Sequence, residues 1–145
     1  LGVASMTVEL LGYLALCSWM QQFSPVAAGI MLVCTVVMFV PGVVHHVFCG
    51  TVEWFYIRLG RTEEARQVIL EFFKKTMSTM LACFVGFLVF SVVLLVMVAM
   101  GLTALPRWAC LLNLLVLFAV MAPFRIVGTL NIAGALMLAG LCILL

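Results

Sequence analysis

Charge is what this sequence has least of. Lysine, arginine, aspartate and glutamate make up 8% of its 145 residues, whereas 68% of the residues are hydrophobic. The mean hydropathy is +1.40. A soluble domain is typically about one-quarter charged and about half apolar. The composition therefore excludes an ordinary soluble domain and predicts an integral membrane protein.

Basic clusters, paired cysteines and nucleotide-binding motifs are also missing. The net charge is only +2, and no block of lysine and arginine resembles a nucleic-acid footprint, so no nucleic-acid partner is predicted. The six cysteines stand singly in apolar segments, without CxxC or zinc-finger spacing. The sequence contains no Walker loop, GxGxxG, HExxH or GxSxG pattern. We therefore predict no cofactor and no metal site.

Long apolar runs are abundant instead. A membrane-spanning helix needs about 20 mostly apolar residues, because its backbone must satisfy its own hydrogen bonds. Continuous apolarity, without the alternation of barrel strands, predicts an all-α helical membrane bundle forming a single domain over residues 1–145. The predicted spans are about residues 1–20, 25–57, 77–100, 107–122 and 127–145.

The second predicted span is too long to cross the membrane as a straight rod. At 1.5 Å per residue, residues 25–57 extend about 50 Å, against a hydrocarbon core of about 30 Å. Pro41 removes the backbone hydrogen bond to Val37, and the adjacent Gly42 lowers the cost of rearrangement. The pattern predicts a helix kinked at Pro41, whose far end, with Trp54, reaches the membrane interface.

Residues 58–76 form the most hydrophilic segment of the chain. Thr62 is a typical N-cap before acidic Glu63 and Glu64, and apolar residues then recur at helical spacing. We expect an extramembrane amphipathic helix between spans two and three. Because most basic residues near span ends fall on this side, the segment should face the cytoplasm, the matrix or the stroma. The expected lipid-headgroup contacts are Arg58, Arg61, Lys74, Lys75 and Arg125.

Glu9 lies near the middle of the first predicted span. A charged side chain there costs at least about 2.5–3.5 kcal/mol on insertion scales, so Glu9 should be paired or protonated. In one interpretation, a neutral Glu9 donates a hydrogen bond to another helix. In the other, Glu9 carries a proton, binds a cation or acts in acid/base chemistry.

The stretch VPGVVHHVFCGTVEW brings further polar residues into the second span. Helical spacing places His45 and Cys49 on one stripe, and His46, Cys49 and Glu53 on the neighbouring one. Such a set could shuttle protons, or it could bind a transition metal through imidazole and thiolate. His46 and Glu53 lie about 10 Å apart along the axis, however, which is too far for both to bind one metal ion without ligands from elsewhere. The alternative is that both histidines hydrogen-bond near the interface to backbone carbonyls or headgroup water.

Two asparagines fall inside the fourth and fifth predicted spans. Asn113 and Asn131 are expected to make interhelical hydrogen bonds, which are worth about 0.6–2 kcal/mol in membranes.

Three segments carry a resemblance to a known group of proteins. They are LPRWACLLNLLVLFAVMAPFRIVGTLNIAG, PGVVHHVF and EEARQVILEFF. Through them the chain resembles a family of multi-pass membrane proteins that is known only by a domain-of-unknown-function label. The resemblance implies a helical architecture with a further helix upstream of Leu1. It implies no activity, substrate or functional residue.

Three classes of function fit these features. The preferred hypothesis is a non-catalytic packing or accessory subunit, whose polar residues join helices to one another, to a partner membrane subunit or to a second copy. The alternative is a transporter or binder of a lipophilic molecule, an ion or a proton. The third is a membrane enzyme for lipid or sterol-like substrates, with His46 and either Glu9 or Glu53 as acid/base residues.

Overall fold

The structure, a computed structural model, describes residues 2–126 and 128–145 and is built from helices. Its α-helices are α1 (Gly2–Met20), α2 (Pro25–Arg58), α3 (Glu63–Ala99), α4 (Leu114–Met121) and α5 (Thr129–Leu144). Two 3-10 helices, Arg107–Leu112 and Ala122–Phe124, flank α4. No strand occurs within the described ranges, so the predicted all-α class is confirmed.

Three of the helices, α1, α2 and α3, are long and apolar enough to cross a membrane. Residues Leu114–Phe124 and α5 form two shorter apolar helices. A helix that crosses alone usually needs about 17–25 residues. The count of five membrane crossings therefore stays a prediction, and it depends on whether α4 and α5 cross as well.

The two longest helices begin with capped N-termini, and the cap at Thr62 is the one predicted from the sequence. The Ser24 side chain accepts a hydrogen bond from the backbone N–H of Ala27, and Thr62 does the same for Ala65, each at 3.2 Å. These caps satisfy donors that would otherwise lack a partner in the first turn. α2 remains helical through Pro41, so the proline does not end the helix. The predicted kink stays a prediction.

α2 and α3 share the most extensive helix–helix contact in the chain, and their backbones meet at Gly86. A Cβ atom at Gly86 would lie 2.7 Å from the carbonyl oxygen of Cys34 and 2.7 Å from the backbone nitrogen of Met38. Real Cβ atoms do not approach backbone atoms so closely. Only glycine permits this separation between α2 and α3.

α1 packs antiparallel to the first part of α2. The backbone of Gly2 lies beside the His46 side chain. Further along α1, the Tyr13 ring has its centroid 5.0 Å from those of Phe39 and Phe90, which belong to α2 and α3. Beyond His46, residues 47–58 carry α2 about 18 Å further, alongside the first turns of α3. The two long helices thus extend past α1 as a hairpin.

The structure differs from the prediction over residues 107–122. Instead of one helix, a 3-10 helix ends at Leu112 and α4 begins at Leu114. Asn113 between them leaves the helical region, with φ −62° and ψ 141°. Its side-chain oxygen accepts from the N–H of Leu115, and its amide donates to the carbonyl of Ser91, each at 2.9 Å. The asparagine acts as an N-cap, which periodicity alone does not reveal.

The close approach at Gly86 makes a prediction for stability. Gly86→Ala should lower the free energy of unfolding by about 1–3 kcal/mol, because the methyl group meets the backbone of α2 rather than a flexible side chain. Titration with sodium dodecyl sulfate in mixed micelles measures this free energy.

Gly50→Ala is the matched control, since open space surrounds Gly50 in α2. Alanine there should leave stability unchanged or raise it by up to about 1 kcal/mol. Equal effects of the two variants would contradict the packing.

Candidate functional site

A cavity of about 300 Å³ lies between α1, α2, α3, α4 and the start of α5. It is called the central cavity below. Of the polar residues singled out from the sequence, it is lined by Glu9, His45, His46 and Asn131. Its remaining walls are mostly aromatic, methionine and glycine residues. The fold thus gathers four candidate residues from α1, α2 and α5 around one space.

Glu9 lies half-buried on α1, at the contact with α5. A Cβ atom at Gly134 would lie 2.9 Å from Glu9 Oε2 and 2.8 Å from the Tyr13 hydroxyl. The carboxylate fits against α5 because position 134 has no side chain. Among residues 2–126 and 128–145, no hydrogen bond or ion pair to the Glu9 side chain is present.

The two histidines differ in their surroundings. Nδ1 of the half-buried His45 lies 3.3 Å from Oγ1 of Thr79, whose hydroxyl lies 2.8 Å from the carbonyl of Thr76. Whether the imidazole or the Thr79 hydroxyl donates the hydrogen bond between them depends on the tautomer of His45. His46 is exposed, and its Nδ1 lies 3.4 Å from the position of a Cβ atom on Gly2.

Cys49 and Glu53 do not join this group. Both line a second groove between α2 and α3, closer to the turn that connects these helices. The polar stripe predicted from helical spacing is therefore divided between two spaces. Within the described part of the chain, no three His, Cys, Asp or Glu side chains lie close enough together to hold a metal ion.

The residues predicted to contact lipid headgroups are all exposed: Arg58, Arg61, Lys74, Lys75 and Arg125. Lys75 Nζ lies 2.8 Å from Oε1 of Glu71, one turn away on α3. Arg125 adopts a left-handed backbone, with φ 52°, in the link between α4 and α5. Their contact with lipid stays a prediction.

The two asparagines have different roles in the fold. Asn113 is 3% exposed and bonds to α3 and to the first turn of α4, as described above. Asn131 is half-buried and faces the central cavity. No hydrogen bond from its side chain is seen within the ranges that the structure describes.

Sequence reasoning did not single out several side chains of the cavity wall. Those that carry a hydroxyl or thiol group are Tyr13, Cys83 and Thr129. Met6, Glu9 and Tyr13 follow helical spacing on α1, so periodicity could have grouped the tyrosine with the glutamate. Nothing in the sequence indicates that this face of α1 meets Cys83 on α3 and Thr129 on α5.

The chain belongs to a family of unknown function, DUF6796, whose sequence profile matches residues 1–143. This match confirms the resemblance to a domain-of-unknown-function family. Neither the curated proteins nor the solved structures include a match to the chain.

The environments of the two asparagines predict that substitution by alanine changes the stability of the protein by different amounts. Asn113→Ala should lower the free energy of unfolding by about 1–3 kcal/mol, because it removes both the cap of α4 and a buried bond to Ser91. Asn131→Ala, the matched control, should change it by less than about 0.5 kcal/mol. Denaturation in mixed micelles compares the two. A larger loss for Asn131→Ala would contradict the assignment.

Proposed function

We propose that this chain is an integral membrane protein that holds a lipophilic small molecule in the central cavity. The observation that carries the proposal is the cavity itself, which combines apolar walls with a few polar side chains from different helices. Ligand sites characteristically have this composition, and helical bundles place such sites between their helices. The volume of about 300 Å³ lies at the small end of the usual range.

The proposed topology has five crossings, with residues 58–76 on the cytoplasmic, matrix or stromal side. It is supported by contacts that place Gly2 near His46, towards the charged end of the α2–α3 hairpin. Thr129, at the start of α5, lines the same cavity as His46. At the other end of α3, the Arg107 guanidinium lies against Gly101. Most basic residues would then face one side, as the positive-inside rule requires.

An accessory subunit is the second candidate function. It explains intramembrane polar residues as links between helices, and two residues favour it. Asn113 bonds to the carbonyl of Ser91, and His45 lies within hydrogen-bond distance of Thr79. Glu9, His46 and Asn131 form no such link within the residues that the structure describes, and all three line the cavity. For this reason ligand binding is preferred to a purely packing role.

An enzyme would need an acid/base pair directed at one substrate. Glu9 and His46 line the same cavity and remain the pair for that hypothesis. Glu53 lines the second groove with Cys49, so it is the weaker partner for His46.

Filling the cavity tests the proposed function. Native mass spectrometry of the gently extracted protein should show a small molecule retained by the wild type. Met80→Trp should abolish retention, because Met80 lines the cavity and the larger side chain occupies it. Met77→Trp, on the exposed side of the same helix, is the matched control and should retain the molecule.

Three outcomes would contradict ligand binding. One is a wild-type protein that retains no small molecule, and another is retention that survives in Met80→Trp. The third is co-purification of other protein chains at fixed stoichiometry without any small molecule, which would favour the accessory subunit.

A further inference from the structure

The wall of the central cavity contains one carboxylate, that of Glu9. Among the residues that the structure describes, no lysine or arginine lines this cavity. All seven lysines and arginines are exposed, and they lie outside the cavity wall: Arg58, Arg61, Arg66, Lys74, Lys75, Arg107 and Arg125. The ionisable groups that face Glu9 across the cavity are the imidazoles of His45 and His46, the Tyr13 phenol and the Cys83 thiol.

The imidazoles do not serve as bound counter-ions for Glu9. Within residues 2–126 and 128–145, neither histidine forms an ion pair with Glu9, and His45 is directed to Thr79 on α3. Charges buried away from water are characteristically paired, because an unpaired charge loses its hydration without compensation. Glu9 has no paired charge among the described residues, and a ligand in the cavity can supply one.

The rest of the wall suits a cation with an apolar body. Four aromatic rings line the cavity: those of Tyr13, Phe39, Phe84 and Phe118. Ring faces attract ammonium groups, and the attraction increases when water is excluded. Three methionines, Met6, Met38 and Met80, add polarizable and adaptable apolar surface. A carboxylate among aromatic rings is complementary to a protonated amine, whereas an anionic ligand would be repelled by it.

We propose that the central cavity binds a lipophilic amine, whose protonated nitrogen donates hydrogen bonds to the Glu9 carboxylate while its apolar body lies among the aromatic and methionine side chains. This inference rests on the proposed ligand-binding function and adds the chemistry of the head group. Gly134 leaves room for that carboxylate at the α1–α5 contact.

Probes that differ only in their head group test the proposal. Dodecylamine and dodecanol share one apolar tail, and their binding to the protein in phosphatidylcholine nanodiscs can be measured by native mass spectrometry and by calorimetry. Empty nanodiscs give the background. The wild type should bind the amine at least about tenfold more tightly than the alcohol, because a charge-assisted hydrogen bond forms only with the amine.

Two variants, each lacking one carboxylate, test whether the preference for the amine depends on Glu9. Glu9→Gln should reduce the amine's advantage to about the level of the alcohol, since glutamine keeps the shape and removes the charge. Glu53→Gln, which removes a carboxylate from the second groove, should leave the advantage intact. Where Glu9→Gln does not fold, equal binding of amine and alcohol to the wild type still overturns the proposal, because that comparison needs no substitution.

Failure of the amine proposal is distinguishable from failure of ligand binding. Equal binding of amine and alcohol to the wild type, with both lost in Met80→Trp, would overturn the amine chemistry and leave the ligand-binding function standing. An amine preference that survives Glu9→Gln would also overturn it. Binding of neither probe above empty nanodiscs overturns the amine proposal, and absence of any retained native molecule then overturns the proposed function as well.

Discussion

The contact on which the rest of the structure depends is the meeting of the α2 and α3 backbones at Gly86. A hydrogen atom in place of a side chain lets α3 approach Cys34 and Met38 at a separation that no other residue permits. In a membrane, where lipid tails are as apolar as leucine, such close packing is a main source of helix association. The paired helices then form the frame against which α1 and α4 pack, and α5 packs in turn against α1 and α4. Tyr13 of α1 inserts between Phe39 and Phe90 on that frame.

The central cavity follows from how the shorter helices join this frame. Gly42 contributes no side chain to the wall between Met6 and Cys83, and Gly134 leaves space for the Glu9 carboxylate beside α5. Polar side chains from α1, α2 and α5 therefore face a common space. Asn113 differs from these residues, because its side-chain nitrogen and oxygen both form hydrogen bonds to backbone groups, of α3 and α4 respectively. Asn113 thus serves packing, whereas the polar residues of the cavity wall are the ones to which we propose to assign ligand binding.

Much of the architecture is readable from the sequence, because apolar runs and caps are local signals. Thr62 caps the helix that it was predicted to cap, and the hydrophilic segment lies where α3 begins. The break at Asn113 is hidden, because an asparagine in an apolar run is equally compatible with a helix interior and with an N-cap.

Helical spacing placed His46, Cys49 and Glu53 together, yet the partner helices divide them between two spaces. Which face of α1 meets α5 depends on contacts between residues far apart in sequence, such as Glu9 and Gly134, and one sequence does not specify them.

In the proposed membrane-embedded bundle, Glu9 faces the interior and its neighbour Val8, which is 71% exposed, faces lipid. Spin labels at Glu9→Cys and Val8→Cys, each in a background with the native cysteines replaced, test it in lipid bilayers. Collision with molecular oxygen, which concentrates in the hydrocarbon layer, is measured for both labels. We expect a high collision rate at position 8 and a much lower rate at position 9. Equal rates, or a higher rate at position 9, would contradict it.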